Sequence, residues 1–382
     1  MSVLSALWWA WSLYAMARSY VSLPWLARDR SPAPASWPRV SVIVAARNEE
    51  RDLERGIRTR LADDYPNLQI VLVEDRSTDA TPAIADRLAE ADPRIKVVHL
   101  TELPAGWLGK LHAMHRGVEA ADGAWLLFSD ADVEFAPGAL RRAIARCEHG
   151  PHDHMAVIPE FREHGLAIDA TLDVFCHVLV AGGRLWQVPD PSSRAAVGGG
   201  MFNLVRRAAF DRTPGFEWLR LEIADDVALG QMLKRHGARP IVMNAVGEVA
   251  LNFYRSLGEM AWGLEKTGFA VIGRFSYAVL LVGSVLGVAM HAGFFAGLAH
   301  PALWVRALSL ATLAMAVTMQ IFLARSTRRA LLPALFFPFG MLSMAVMALR
   351  SGWLVWRRGG VEWRGTLYNV SELRAGSRIE LR

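Results

Sequence analysis

Between Glu265 and Glu362 the chain carries no aspartate and no glutamate. Three apolar segments fill that interval, roughly Phe275–Leu298, Ala302–Leu323 and Leu331–Trp356. Each is long enough to cross a bilayer core, which takes about 20 residues of helix. A fourth apolar segment, Val3–Leu26, opens the chain. In lipid, such segments satisfy their backbone only as helices or as closed barrels. The 53% hydrophobic content is too high for an ordinary soluble enzyme, and it averages two unlike parts. Residues 37–265 are charged and punctuated by Gly and Pro, with room for one sizeable core.

No Lys or Arg precedes the opening apolar run, whereas Arg18, Arg28 and Arg30 come late in it or after it. A cleaved signal has the reverse order, despite the cleavage-like Ala33-Pro34-Ala35. The expectation is an uncleaved anchor over residues 1–27, its start outside and the central domain in the cytoplasm. Arg325, Arg328 and Arg329 also read as cytoplasmic. Residues 266–358 are expected to form a membrane region of two to three helices. If Leu331–Trp356 crosses once, the basic tail 359–382 ends outside. Pro333, Pro338 and Gly340 would instead permit a re-entrant segment that returns this tail to the cytoplasm, the topology expected here. The expected location is therefore the inner (cytoplasmic) membrane, multi-pass. Cys147 and Cys176 make neither a metal spacing nor a disulfide framework. The net charge of +5 suits an anionic membrane surface. No aromatic-basic module of the known kinds is present, so nucleic acid is not an expected partner.

In the central region, strands alternate with helices. Val40–Ala45, Ile70–Val73, Ile95–His99 and Ala124–Phe128 read as strands. Helices follow them to about Leu61, from Thr81-Pro82 to about Ala91, and from Gly109-Lys110 to about Ala121. This order implies an α/β fold with a largely parallel sheet, which binds ligands at the carboxyl ends of its strands. Glu49, Asp75 and the pair Asp130 and Asp132 fall there. Two carboxylates two residues apart on an extended backbone point to one side. They can share one hard divalent cation, which commonly also holds substrate phosphates. A polar turn after a strand is the plain alternative. His112 with His115, and His149, His152 and His154, lack a third ligand at convincing spacing. Leu166–Trp186 is apolar but carries Asp169, Asp173 and Arg184. It reads as an amphipathic helix on the membrane surface or as an internal core helix.

The order Ala-Arg-Asn-Glu after the first strand, Glu74-Asp75 with Ser77 and Asp79, Gly109-Lys110, Asp130-Ala-Asp132 and Asp225-Asp226 resembles family 2 glycosyltransferases with a GT-A fold. Trp262-Gly-Leu-Glu-Lys266 and Glu362-Trp-Arg-Gly365 resemble the membrane-bound, ceramide-glucosyltransferase-like branch, which includes hopanoid- and carotenoid-associated enzymes. The resemblance implies transfer of a sugar from a UDP- or GDP-linked donor to a hydroxyl of a membrane lipid, with inversion. It implies that Asp75, with Asn48 and Glu49, lies at the nucleoside. Asp132 would be the direct ligand of Mg²⁺ or Mn²⁺, and Asp130 would support the ribose or the metal. Lys110 resembles a phosphate-contacting cation; a solvated surface lysine is the equal alternative. Asp226 is the expected general base, with Asp225 as its rival; capping of the following helix is the plain reading of both. Gly198-Gly199-Gly200 resembles the small-residue segment under sugar and acceptor, or is a flexible turn.

The sequence departs from the family pattern in three places. Ala46 stands where the family has Pro or Thr, and Asp225 where it has Glu. No Gln-x-x-Arg-Trp separates Asp226 from the C-terminal apolar segments. Processive synthases of the family carry that motif, so transfer of a single sugar is expected, with Trp262 and Lys266 as substitutes near the phosphates and on the acceptor side; an interfacial Trp and a juxtamembrane Lys are the equally ordinary reading. Two other readings stay open: a polyprenyl-phosphate acceptor, and a non-catalytic sugar-nucleotide-binding membrane subunit.

Overall fold

The β-branched run from Val40 becomes a buried strand because neighbouring strands and helices cover it on all sides. In the computed structural model, which describes residues 1–380, ten strands form in the central region. They are β1 (Val40–Ala46), β2 (Leu68–Asp75), β3 (Ile95–Leu100), β4 (Trp125–Phe128), β5 (Glu134–Phe135), β6 (His154–Ile158), β7 (Glu160–Phe161), β8 (Asn203–Arg206), β9 (Pro240–Asn244) and β10 (Val249–Leu251). Seven make one sheet in the order β3-β2-β1-β4-β8-β6-β9. The half β3-β2-β1-β4 is parallel, as the alternation of strands and helices implies. β8 runs antiparallel to both β4 and β6, which makes the sheet mixed. β5, β10 and β7 form a separate small sheet.

β2 is buried along its whole length. Val40, Val42, Ile43, Val44 and Ala46 of β1 are fully buried, as expected of parallel strands covered on both faces. The helix Gly109–Ala120 sits so close to β1 that a Cβ on Gly117 would lie 2.4 Å from Ile43 Cγ2. Strand order reverses beside β1, where β2 follows on one side and β4 lies on the other. Crevices open at the carboxyl ends of strands at such a switch point. Asn48 and Glu49, Glu74 and Asp75, and Asp130 all stand there.

The chain divides into two compact units that interleave in sequence. The unit holding the sheet takes residues 23–162, 187–252 and 376–382. The other takes residues 1–22, 163–186 and 253–375. Four helices of this second unit are long and apolar enough to cross a membrane: Leu166–Gln187, Tyr277–Leu298, Leu303–Thr327 and Phe337–Arg358. The opening helix Ser2–Ser22 is long enough but less apolar, with Arg18, Tyr14, Tyr20 and several serines along it. It packs against the apolar helices Tyr277–Leu298 and Leu303–Thr327 of its own unit. Trp9 is fully buried, and its indole N–H donates to the carbonyl of His291 at 3.2 Å.

The acids that made Leu166–Trp186 look amphipathic have an internal partner. Arg329 donates to Asp169 at 2.9 Å and to Asp173 at 2.8 Å, with all three side chains almost wholly buried. Arg329 is thus committed to an internal ion cluster, and its charge does not reach the surface as the sequence suggested. A second close approach fixes this helix: a Cβ on Gly340 would lie 2.2 Å from the carbonyl oxygen of Ala170. Small residues allow such backbone contact between apolar helices.

Removing Arg329 would leave two buried carboxylates without a counter-charge. Arg329→Met is expected to lower stability by about 3–5 kcal/mol, read by thermal unfolding in detergent micelles. Combining it with Asp169→Asn and Asp173→Asn should recover most of the loss.

Candidate functional site

The site is assembled around the end of β4. Ser129 Oγ donates to the carbonyl of Met201 at 2.8 Å and accepts from Arg60 at 2.9 Å. The amide of Asp130 donates to the carbonyl of Gly200 at 2.9 Å. The amide of Gly200 donates in turn to Asp226 Oδ2 at 3.1 Å. One residue therefore links the acidic loop after β4 to the first turn of the helix Asp225–Arg235. A Cβ there would lie 2.7 Å from Asp130 Oδ2 and 3.1 Å from Lys110 Nζ, so a larger residue would displace both side chains. Gly198 and Gly230 serve the same crossing: their Cβ atoms would lie 1.8 Å from the Asp226 carbonyl and 2.2 Å from the Val197 carbonyl. Gly199 closes the turn by accepting from the amide of Phe202. The triple glycine is thus a close-packed crossing, and the flexible-turn alternative does not describe it.

Lys110 lies in the first turn of the helix Gly109–Ala120 and joins the two acidic elements directly. Its ammonium is 2.7 Å from Asp130 Oδ1 and 3.5 Å from Asp225 Oδ2. Burial works against its charge, but Asp130, Asp225 and Asp226 outweigh that and hold it above the usual lysine range. It is not the solvated surface lysine of the alternative reading. The two acids of the Asp-Asp pair differ. Asp225 pairs with Lys110. Asp226 accepts from the amides of Gly200 and Val227, and burial with the neighbouring Asp225 pushes its carboxyl up to about 6.

Asp132 stands in a field where burial and neighbouring acids outweigh the nearby Arg60 charge. Burial, then Asp130 and Glu49, push its carboxyl up to about 7. Among the described residues, no three His, Cys, Asp or Glu side chains are gathered around one point as a complete metal cage. A hard cation that binds through one or two carboxylates plus substrate phosphates does not need one. Two oxygen donors and surplus negative charge fit Mg²⁺ or Mn²⁺.

On the other side of the switch point, the loops after β1 and β2 are stitched together. Asn48, at φ +55°, accepts from the amide of Thr78 at 2.8 Å, and its own amide donates to Ser77 at 3.0 Å. The amide of Glu49 donates to Thr81 at 2.8 Å. Asp75 is buried at the end of β2 and receives Arg76 through both oxygens, at 2.7 and 3.2 Å. Arg47 approaches it to 3.9 Å. Gly109 passes close by, since a Cβ there would lie 2.7 Å from Asp75 Oδ2. Trp262 and Lys266 belong to the unit of apolar helices. Trp262 stacks on Trp363 at 5.7 Å, and Lys266 lies 4.2 Å over the same ring.

Sequence reasoning missed two supports. Arg60, 1% exposed, sits behind Ser129 and the Asp130 carbonyl, and its charge faces Asp130 and Asp132. In a helix as charged as Leu53–Leu61 it reads as one more solvated arginine. Glu222 is buried just before the Asp-Asp pair. It accepts from the amide of Ala224 at 2.9 Å and from the amides of Arg378 and Ile379. Gln231 exchanges two hydrogen bonds with Glu380, at 3.1 and 3.0 Å. Residues 377–380 therefore strap the start of the helix Asp225–Arg235. The mid-helix Gly230 signals crowding of this helix, but against Val197 and Gly198 and not against residues 377–380.

Residues 41–210 match the family model for glycosyl transferase family 2. The succinoglycan biosynthesis protein ExoO of Rhizobium meliloti is 35% identical over 31% of this chain and 32% of its own. A beta-monoglucosyldiacylglycerol synthase of Synechocystis is 34% identical over 32% of this chain and 25% of its own. A synthase of the same name from Nostoc is 28% identical over 51% of this chain and 41% of its own. The chain thus spans less than half the length of these relatives. Among solved structures, mannosyltransferase PcManGT from Pyrobaculum calidifontis, in complex with GDP-Man and Mn²⁺, shares the fold. It has a TM-score of 0.56 and 22% identity, covering 91% of this chain and 97% of its own. With the mixed sheet and the acidic strand ends, these matches make residues 41–210 a glycosyl transferase family 2 domain on a GT-A-like fold.

Proposed function

We propose that this domain moves a single sugar from a UDP- or GDP-linked donor to a hydroxyl of a membrane lipid, with inversion. The observation that carries the reading is the link Asp130–Gly200–Asp226, with Lys110 beside it. It holds a diphosphate station and a base within one rigid frame. The apolar helices and the lipid-synthase names among the relatives support a lipid acceptor. The protein would then sit in the inner membrane with this domain on the cytoplasmic side.

Asp132 and Asp130 would hold Mg²⁺ or Mn²⁺, which supplies positive charge to the departing nucleotide diphosphate. Lys110 adds a fixed positive charge at the same place. Asn48, Glu49 and Asp75 would border the nucleoside. Asp226 would take the acceptor proton. Burial and the neighbouring Asp225 raise its carboxyl, which suits a proton acceptor, whereas Asp225 is engaged by Lys110. A single displacement needs no covalent nucleophile. Residues 1–27, 266–358 and 359–382 are assigned to anchor, membrane region and cytoplasmic tail. Trp262 and Lys266 are assigned to the acceptor side.

The direct test is to incubate the purified chain with a panel of nucleotide-sugars, Mg²⁺ or Mn²⁺ and lipid extract, and to identify the product by mass spectrometry. A new glycolipid supports the reading, and donor binding without any product contradicts it.

Asp226→Asn should lower kcat by about 10²–10⁴-fold while donor affinity, measured by calorimetry, stays near wild type. The base acts as the carboxylate, and its pKa is raised from 3.8 to about 6. With Mg²⁺ or Mn²⁺ saturating and holding Asp132 as its carboxylate, activity should therefore fall as pH drops through about 6. Removing residues 377–382 frees Glu222 and the start of the helix Asp225–Arg235. It should reduce kcat more than donor affinity and lower the unfolding temperature.

A further inference from the structure

At the first turn of the helix Tyr277–Leu298 lies an open cavity of about 830 Å³. Its walls include Phe269, Arg274, Phe275, Tyr277, Val370 and Arg374, and no carboxylate is among the described lining residues. The guanidiniums of Arg274 and Arg374 thus line one cavity with aromatic side chains, at the start of a helix long and apolar enough to span a bilayer. Basic and aromatic side chains gather where a span meets the headgroups.

The backbone is bent to make this arrangement. Arg274 and Phe275 are consecutive non-glycine residues in the left-handed region, at φ +48° and +56°. Bulky side chains adopt that conformation only where the surroundings enforce it, and such strain clusters at binding sites. Here it turns Phe275 inward, edge-to-face with Phe269 at 6.3 Å, and leaves Arg274 exposed. Arg374 donates to the carbonyl of Phe275, which fixes the second guanidinium on the turn. The Ser276 side chain caps the helix through the amide of Val279.

The apolar surface below the cavity continues it. Ala278 lines the cavity, and Leu281, Val282 and Val285 follow at helical spacing. They are 55%, 63% and 61% exposed. Only 22% of this helix is covered inside the structure, less than for the other three apolar helices. An anion with an apolar tail matches both halves.

We propose that this cavity binds the phosphodiester headgroup of an anionic glycerophospholipid, whose acyl chains lie along the Leu281–Val285 flank. The site requires only that Tyr277–Leu298 spans the bilayer, and it stands independently of sugar transfer. Its test therefore contains no sugar donor. The full chain is purified in detergent with equal phosphatidylglycerol and phosphatidylcholine, and retained lipid is counted by native mass spectrometry. Wild type should favour phosphatidylglycerol by about tenfold, from two basic side chains near the headgroup. The double variant Arg274→Gln/Arg374→Gln should lose that preference. Arg274→Lys/Arg374→Lys should keep most of it, and Arg306→Gln on another helix should change nothing. Equal retention of the two lipids by wild type, or an unchanged ratio in the double glutamine variant, overturns the proposal. So does displacement of phosphatidylglycerol by millimolar inorganic phosphate, because the site would then bind the phosphate group without a lipid.

Discussion

The amide of Gly200 points to Asp226 while its carbonyl receives the amide of Asp130. This single residue fixes the distance between the acidic loop after β4 and the helix that begins at Asp225. The backbones cross too closely for side chains at Gly198 and Gly230, and Gly200 leaves room for the Asp130 and Lys110 side chains. Lys110 closes the same loop electrostatically by lying between Asp130 and Asp225. Behind it, Arg60 and Ser129 hold the end of β4 from inside the domain. The carboxylates are therefore placed by backbone and buried partners. A shift of any one would propagate to the others.

The sheet explains why these groups meet at all. β1 and β2 carry Asn48, Glu49 and Asp75 to one side of the switch point, and β4 carries Asp130 and Asp132 to the other. The third acidic element reaches the same edge by a different route. Its loop crosses under β4 through the glycines, and the helix start is held by Glu222 and residues 377–380. In the other unit, the apolar helices manage their few charges internally, with Arg329 between Asp169 and Asp173. Glu265 is likewise paired, with Arg350 and Arg358.

Much of the parallel half was legible in the sequence. Val40–Ala45 and Ile95–His99 differ from the observed strands by one terminal residue, and Thr81–Ala91 matches in full. Local patterns sufficed there, because each strand is followed at once by its helix. The reversed strand β8 was not legible, since its direction is set by pairing with β4 and β6 across long sequence separations. Leu166–Gly183 belongs to the unit of apolar helices although it interrupts the central region. Its two aspartates hid this, because their partner Arg329 lies far along the chain. Of the site, Glu49, Asp75, Asp130 and Asp132 stood out by their place at strand ends, whereas Lys110, Asp225, Asp226 and the glycines stood out through the family resemblance. Arg60 and Glu222 did not, because a buried charge and a solvated one look alike in a helix or a loop of mixed polarity.

The central claim is that the three acidic elements serve one direct displacement at a sugar carbon. The anomeric configuration of the product tests this most directly, read by proton NMR on glycolipid made from an α-linked nucleotide-sugar. The account expects a β-linked product from the first turnover. An α-linked product would contradict it, because a single in-line displacement inverts the anomeric carbon.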